Sequence, residues 1–178
     1  MHRLALLPLL LLACDVETEE DTIRFEAQDR DEMLRAPPRY GGCGDTTMYG
    51  ANTTDTQAVF FNIPGLAQDA ANAGRTITRT IALPSADASV TYETGRRLTS
   101  ATCVGAFPWP GPSVRQTYSA VGGTLTVRAT PTSPPGGMPT ATVDLTLTNP
   151  SFASPAGVGF GFVGTIDLRG VDVGLYPP

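Results

Sequence analysis

The chain predicts an all-β fold, an antiparallel β-sandwich of about seven or eight short strands. Three observations lead there. Threonine, valine and glycine dominate residues 40–178. Apolar and polar residues alternate with period two in several stretches. Glycine and proline turn signals recur between those stretches at short spacing. A partly open β-barrel satisfies the same pattern.

In chain order, "QAVFFNI" is the first strand candidate within the domain. "LAQDAANAG" is the only plausible short helix, and "TITRTIAL" and "SVTYET" follow as strands. "YETGRR", with Glu93, Arg96 and Arg97, reads as a charged hairpin turn. "GTLTVRA" alternates cleanly: Leu125, Val127 and Ala129 face one way, Thr124, Thr126 and Arg128 the other. "TVDLTLT" sets Val143, Leu145 and Leu147 against Thr142, Asp144, Thr146 and Thr148. Near the end, Val158, Phe160, Phe162, Ile166 and Leu168 share one parity, and after Gly170 the apolar parity passes to Val171, Val173 and Leu175. A one-residue slip exchanges the faces of a strand, so a bulge or tight turn is expected at Gly170. "LPSADA", "FPWPGPS" and "TPTSPPGGMP" are loops, because proline cannot donate to a central ladder.

Charge is concentrated before the domain. Residues 15–39 carry nine acids and four arginines, whereas residues 40–178 carry eight acids and seven arginines. No basic patch appears, which argues against a nucleic-acid partner. The acidic leader is poor in large apolar residues and ends in Pro37-Pro38, so its first part, to about Asp21, reads as a solvated tether. As a flexible coil, residues 14–39 would span roughly 25–30 Å. Within them "TIRFEA" is a candidate added strand and "DRDEMLR" a candidate helical turn.

The chain begins "MHRLALLPLLLLACD". Arg3 gives a basic start, and Leu4 to Leu12 form an apolar run far short of the roughly 20 residues that span a bilayer. A small residue follows at Ala13, as in a secretory signal. Leu11-Leu12-Ala13-Cys14 resembles the lipobox of bacterial lipoproteins. The resemblance implies cleavage before Cys14, acylation of its thiol, palmitate included, and acylation of the new N-terminus. It divides the chain into a signal peptide (1–13), an acidic, largely flexible tether (14–39) and a β-sandwich domain (40–178). It also makes the membrane a partner through the lipid, in the cell envelope outside the cytoplasm. The outer membrane or cell surface is favoured. Asp15 resembles an inner-membrane retention signal in enteric bacteria, so the inner membrane stays open.

With Cys14 lipidated, Cys43 and Cys103 remain, and an even pair in an exported chain favours a disulfide. It would close a loop of about 60 residues, worth roughly 4 kcal/mol in the chain-entropy picture. Two buried thiols or a redox pair are the alternatives. The only histidine, His2, lies in the signal segment, and the chain has no lysine. Histidine triads, histidine metal sites, Schiff-base chemistry and a Walker lysine are thereby removed.

No cofactor and no metal site are called for. Trp109, the only tryptophan, lies with Phe107 in a loop stiffened by three prolines. Its ordinary role would be to cap the core; its functional role would be a stacking face for a sugar or peptide. Gly157, Gly159 and Gly161 make room for a neighbouring strand or, less ordinarily, a ligand. Asp144 and Asp167 are the candidate carboxylates for acid–base chemistry, with a plain solvent-face role as the alternative. The expected protein is a non-catalytic, membrane-anchored domain that binds an envelope protein or polysaccharide or builds the envelope. A carboxylate-dependent extracytoplasmic hydrolase and a structural subunit of a surface assembly are the alternatives.

Overall fold

The computed structural model describes residues 19–44, 47–102, 110–133 and 137–174, with side chains described from residue 27 onward. The fold is all-β: among the described residues, nine antiparallel strands form one sheet that does not close. In order they are β1 (Arg39–Cys43), β2 (Thr47–Ala51), β3 (Gln57–Asn62), β4 (Ile77–Ala82), β5 (Ser89–Arg96), β6 (Ser113–Pro131), β7 (Thr140–Ala153), β8 (Gly159–Gly161) and β9 (Thr165–Gly174). Two helices, α1 (Glu19–Arg35) and α2 (Leu66–Ala73), accompany them. Nine strands replace the expected seven or eight, and two are not short: β6 has 19 residues and β7 has 14.

Those two long strands form the spine. The first part of β6 pairs with β5, and its second part pairs with β4. The first part of β7 pairs with β9, and its last residues pair with β8. Between the parts the hairpin bends. Buried residues run Leu125, Val127 and Ala129 on one side of the bend but Ala120 on the other. On β7 they run Ala141, Val143, Leu145 and Leu147, then Phe152. Both strands change parity at one level, where the register slips around Gly122. Gly123 takes φ +115° and Asn149 φ +47° there. Paired bulges keep one face inward on both sides of the bend. Asn149 holds its bulge by accepting from the Gly164 amide at 3.0 Å.

β1 and β9 are edge strands, and one bridge joins their ends: the Gly174 amide donates to the Gly44 carbonyl at 2.6 Å. The parity change expected at Gly170 is present. Gly170 has φ +62°, Val143 faces Val171 and Leu145 faces Leu168, so β9 carries an extra residue opposite Asp144. Ile166 and Leu168 are buried before it, Val171 and Val173 after it. Leu175 lies outside the described residues. Val158, expected on the buried parity, is 67% exposed, because residues 154–158 form a turn before β8 begins.

One main core and a smaller cluster hold the described residues together. Met48, Val59 and Phe61 meet Leu125, Leu145, Leu147, Ile166 and Leu168, with Leu66, Ala67 and Ala70 of α2 added. α2 forms where the short helix was expected, between left-handed Gly65 and Gly74. A smaller cluster (Ala51, Ala58 and Leu98, with Tyr49 and Phe60) lies under the residues that follow β5. "YETGRR" is therefore not a hairpin turn: Glu93 is mid-strand, β5 runs to Arg96, and the chain turns at Arg97, whose φ is +55°.

The leader also differs from expectation. "TIRFEA" lies inside α1 and adds no strand. The helix occupies much of the stretch that composition marks as a flexible coil, and its last turns are docked. Met33 and Leu34 are 4% and 0% exposed. Pro37 sits so close to Gly50 that a Cβ there would meet its ring at 2.8 Å. Three apolar side chains thus do what the acidic composition conceals.

Glu93 gives a pH-dependent prediction. Burial lifts its carboxyl above the ordinary value of 4.5. Its charged form is therefore tolerated less in the folded than in the unfolded chain, and stability falls as pH rises from about 4.5 through the raised folded value. Glu93→Gln is expected to raise the urea midpoint at pH 7 and to match the parent below pH 4, since there both side chains are neutral.

Candidate functional site

Where the spine passes β5, the inner face of the sheet runs out past the core. On β6 the inward side chains go from buried Ala120 to half-buried Tyr118 and then to exposed Gln116. On β5 they go from buried Tyr92 to half-buried Thr94 and exposed Arg96. α1 crosses beside them with Ala27 and Arg30, and β8 contributes Phe160. The result is a cleft of about 850 Å³, within the range of small-molecule sites.

Its floor is aromatic. Phe160 stacks on Phe152 at 5.1 Å and meets Tyr92 and Tyr118 edge-on at 5.3 and 5.5 Å. Tyr92 and Tyr118 are direct cross-strand partners, with ring centres 6.0 Å apart. Burial raises the Tyr92 hydroxyl well above its ordinary value, and the nearby Arg30 guanidinium offsets this only in part. Tyr92 therefore stays neutral, a hydrogen-bonding group rather than a base.

The walls are basic. Arg30, Arg96 and Arg115 line the cleft, and no described lining residue is acidic. Arg30 lies 4.0 Å over the Phe160 ring, and Asp31 accepts its Nη2 at 2.8 Å. These two contacts fix the guanidinium plane. Arg96 and Arg115 are exposed and make no ion pair among the described residues. Arg115 is placed by a bulge: Thr94 pairs with Gln116 and Gly95 with Val114, so Arg115 is the extra residue. Such a bulge re-aims a side chain. Gln57, at the start of β3, completes the lining; its Oε1 is buried and has no hydrogen-bond partner among the described residues. An unmade bond at a buried acceptor costs about 1–3 kcal/mol.

Of the candidate site residues singled out by the sequence, the described ones lie elsewhere. Cys14, Cys103, Phe107 and Trp109 fall outside the described residues; Cys43 ends β1. Asp144 and Asp167 are on the outer face of the spine. The Asp144 carboxylate accepts the Gly170 amide at 2.9 Å. Asp167 accepts Thr146 Oγ1 at 2.5 Å, Arg169 Nη2 at 2.9 Å and Thr165 Oγ1 at 3.0 Å. Both carboxylates are engaged in the sheet's own bonds, and neither lines the cleft. Asp144→Ala is expected to cost about 1 kcal/mol, the net worth of one partly exposed bond to a bulge amide; thermal unfolding would report it. Gly159 allows the close approach of a neighbouring backbone, since a Cβ would run into the Phe152 carbonyl; Gly161 faces open space.

Compared with known proteins, the chain matches no family model, no curated protein and no solved structure. Among the described residues, no group of three or more acidic, cysteine or histidine side chains is placed to hold a metal ion, and no helix is long and apolar enough to cross a membrane.

The cleft went unseen in the sequence. Its residues come from α1, β3, β5, β6 and β8, and only the pairing of Tyr92 with Tyr118 brings its two ends together. Even spacing did hold one clue: Tyr118 and Ala120 share the parity of an inward face.

Proposed function

We propose that this chain is an exported lipoprotein, held at the cell envelope through an acylated Cys14, whose β domain is a non-catalytic binding module. The anchor rests on Leu11-Leu12-Ala13-Cys14 and the short apolar run before it. Binding rests on one observation above all: a cleft with an aromatic floor and three arginines in its lining, two of which, Arg96 and Arg115, have no acidic partner among the described residues. Arginines held around an exposed concavity favour an anionic visitor. The ligand belongs outside the cytoplasm, on an envelope protein or polysaccharide.

Two measurements test the anchor and the expected Cys43–Cys103 bond. Intact-mass analysis of protein taken from membranes should show a chain beginning at Cys14 with acyl chains attached. A free Cys14 thiol, or cleavage elsewhere, refutes the anchor. Counting alkylatable thiols in denaturant should give two more after reduction than before, and an unchanged count refutes the disulfide. Binding itself is read by calorimetric titration of the full chain with envelope polysaccharides; heats that survive loss of the cleft arginines would place the site elsewhere.

A further inference from the structure

The geometry points to an acidic oligosaccharide as the ligand of this cleft. The assignment rests on the reading of the domain as a binding module and narrows it to one chemistry. Three independent features of the cleft each ask for part of such a molecule.

The first is charge. Arg96 and Arg115 project from neighbouring strands with no ion pair among the described residues. A guanidinium presents a planar fork of donors that suits a carboxylate or a phosphate. Arg30 is already held by Asp31 and Phe160, so Arg96 and Arg115 make the direct contacts.

The second is the floor. Tyr118 is only partly covered and meets Phe160 edge-on; the Phe160 ring already carries Phe152 and the Arg30 guanidinium, so Tyr118 supplies the open surface. An exposed aromatic surface with a hydroxyl at its rim receives the C–H face of a sugar ring, an amphipathic fit that a bare inorganic anion cannot make.

The third is Gln57. Its Oε1 is a buried acceptor without a donor among the described residues. Gln57 lines the cleft, and with its amide turned toward the open side a sugar hydroxyl supplies a donor; a carboxylate alone does not. Charge on one wall, an aromatic floor and an orphaned acceptor thus converge on a polyhydroxylated ring carrying an acid. A uronic acid and a sugar phosphate share that chemistry.

The experiment is calorimetric titration of the full-length, detergent-solubilised protein with four probes: a short oligomer of galacturonic acid, a galactose oligomer of equal length, glucose 1-phosphate and an oligoglutamate. Binding of the galacturonate oligomer or of glucose 1-phosphate above both controls is expected, weakening with added salt; which one binds identifies the acid as carboxylate or phosphate. Arg96→Gln with Arg115→Gln is expected to weaken that binding by roughly tenfold or more. Both residues are exposed and make no ion pair among the described residues, so folding should persist, and circular dichroism checks it. Gln57→Met removes the orphaned acceptor: it should leave the free protein at least as stable yet weaken sugar binding. Equal binding of the neutral galactose oligomer would overturn the acidic class and leave the binding module standing. Tighter oligoglutamate binding would replace the sugar by an acidic peptide and overturn the proposal. An arginine double variant that binds as the parent does would also overturn it. Failure of all four probes would overturn both this assignment and the cleft as the domain's binding site.

Discussion

Phe152→Ala is expected to remove about 3–5 kcal/mol of folding stability, the usual cost of truncating a buried phenylalanine. Phe152 is 1% exposed and sits just beyond the bend of β7. It pairs with Ala120 on one side and Phe160 on the other. Its ring stacks on Phe160 and lies 6.2 Å from Tyr92. Truncation leaves a void under the cleft floor, and the stacked ring above loses its support. Urea unfolding should show a large drop in midpoint with an unchanged slope. Phe152→Leu, which keeps most of the volume, should cost less than half as much. An alanine variant within 1 kcal/mol of the parent would show that the ring is not a core element.

Gly95→Ala is the second large effect, with a different physical origin. A Cβ at this position runs into the Ser113 carbonyl oxygen and comes within 3.0 Å of Leu98 Cδ2. The obstruction is the backbone of the paired strand, so no rotamer relieves it. The strands must separate locally, at a cost of about 1–3 kcal/mol. The same residue bounds the bulge that exposes Arg115. The variant should therefore lose anion affinity as well as stability, whereas Gly161→Ala, which meets nothing within 4 Å, should be close to neutral. A Gly95→Ala protein with parental stability and parental binding would mean that the β5–β6 contact is looser than the structure has it.

Much of the sheet was legible in the sequence for a physical reason. β6, β7 and β9 bury one face only, so their apolar residues alternate, and a bulge must show as a change of parity, as at Gly170. β1 and β2 left no such trace. Their inward positions include Gly42 and Gly50, whose space is filled from outside by Val171, Val173 and Pro37. The first part of β6 was hidden by Gly122 and Gly123, which read as a break although the strand bends through them. The last turns of α1 showed as "DRDEMLR", but its full length and its docking were hidden by its charges: docking depends on Met33, Leu34 and Pro37, too few to register against the acids around them. The cleft was beyond reach because it depends on which strands are neighbours, and alternation within one strand carries no information about that.

The bent β6–β7 hairpin has one more consequence. Each of its strands belongs to both halves of the sheet, so β4 and β9 on one side and β5 and β8 on the other share a backbone. Neither half can melt while the other keeps its pairing partners in place. Heat should therefore carry the domain through a single all-or-none transition, with calorimetric and van't Hoff enthalpies in agreement.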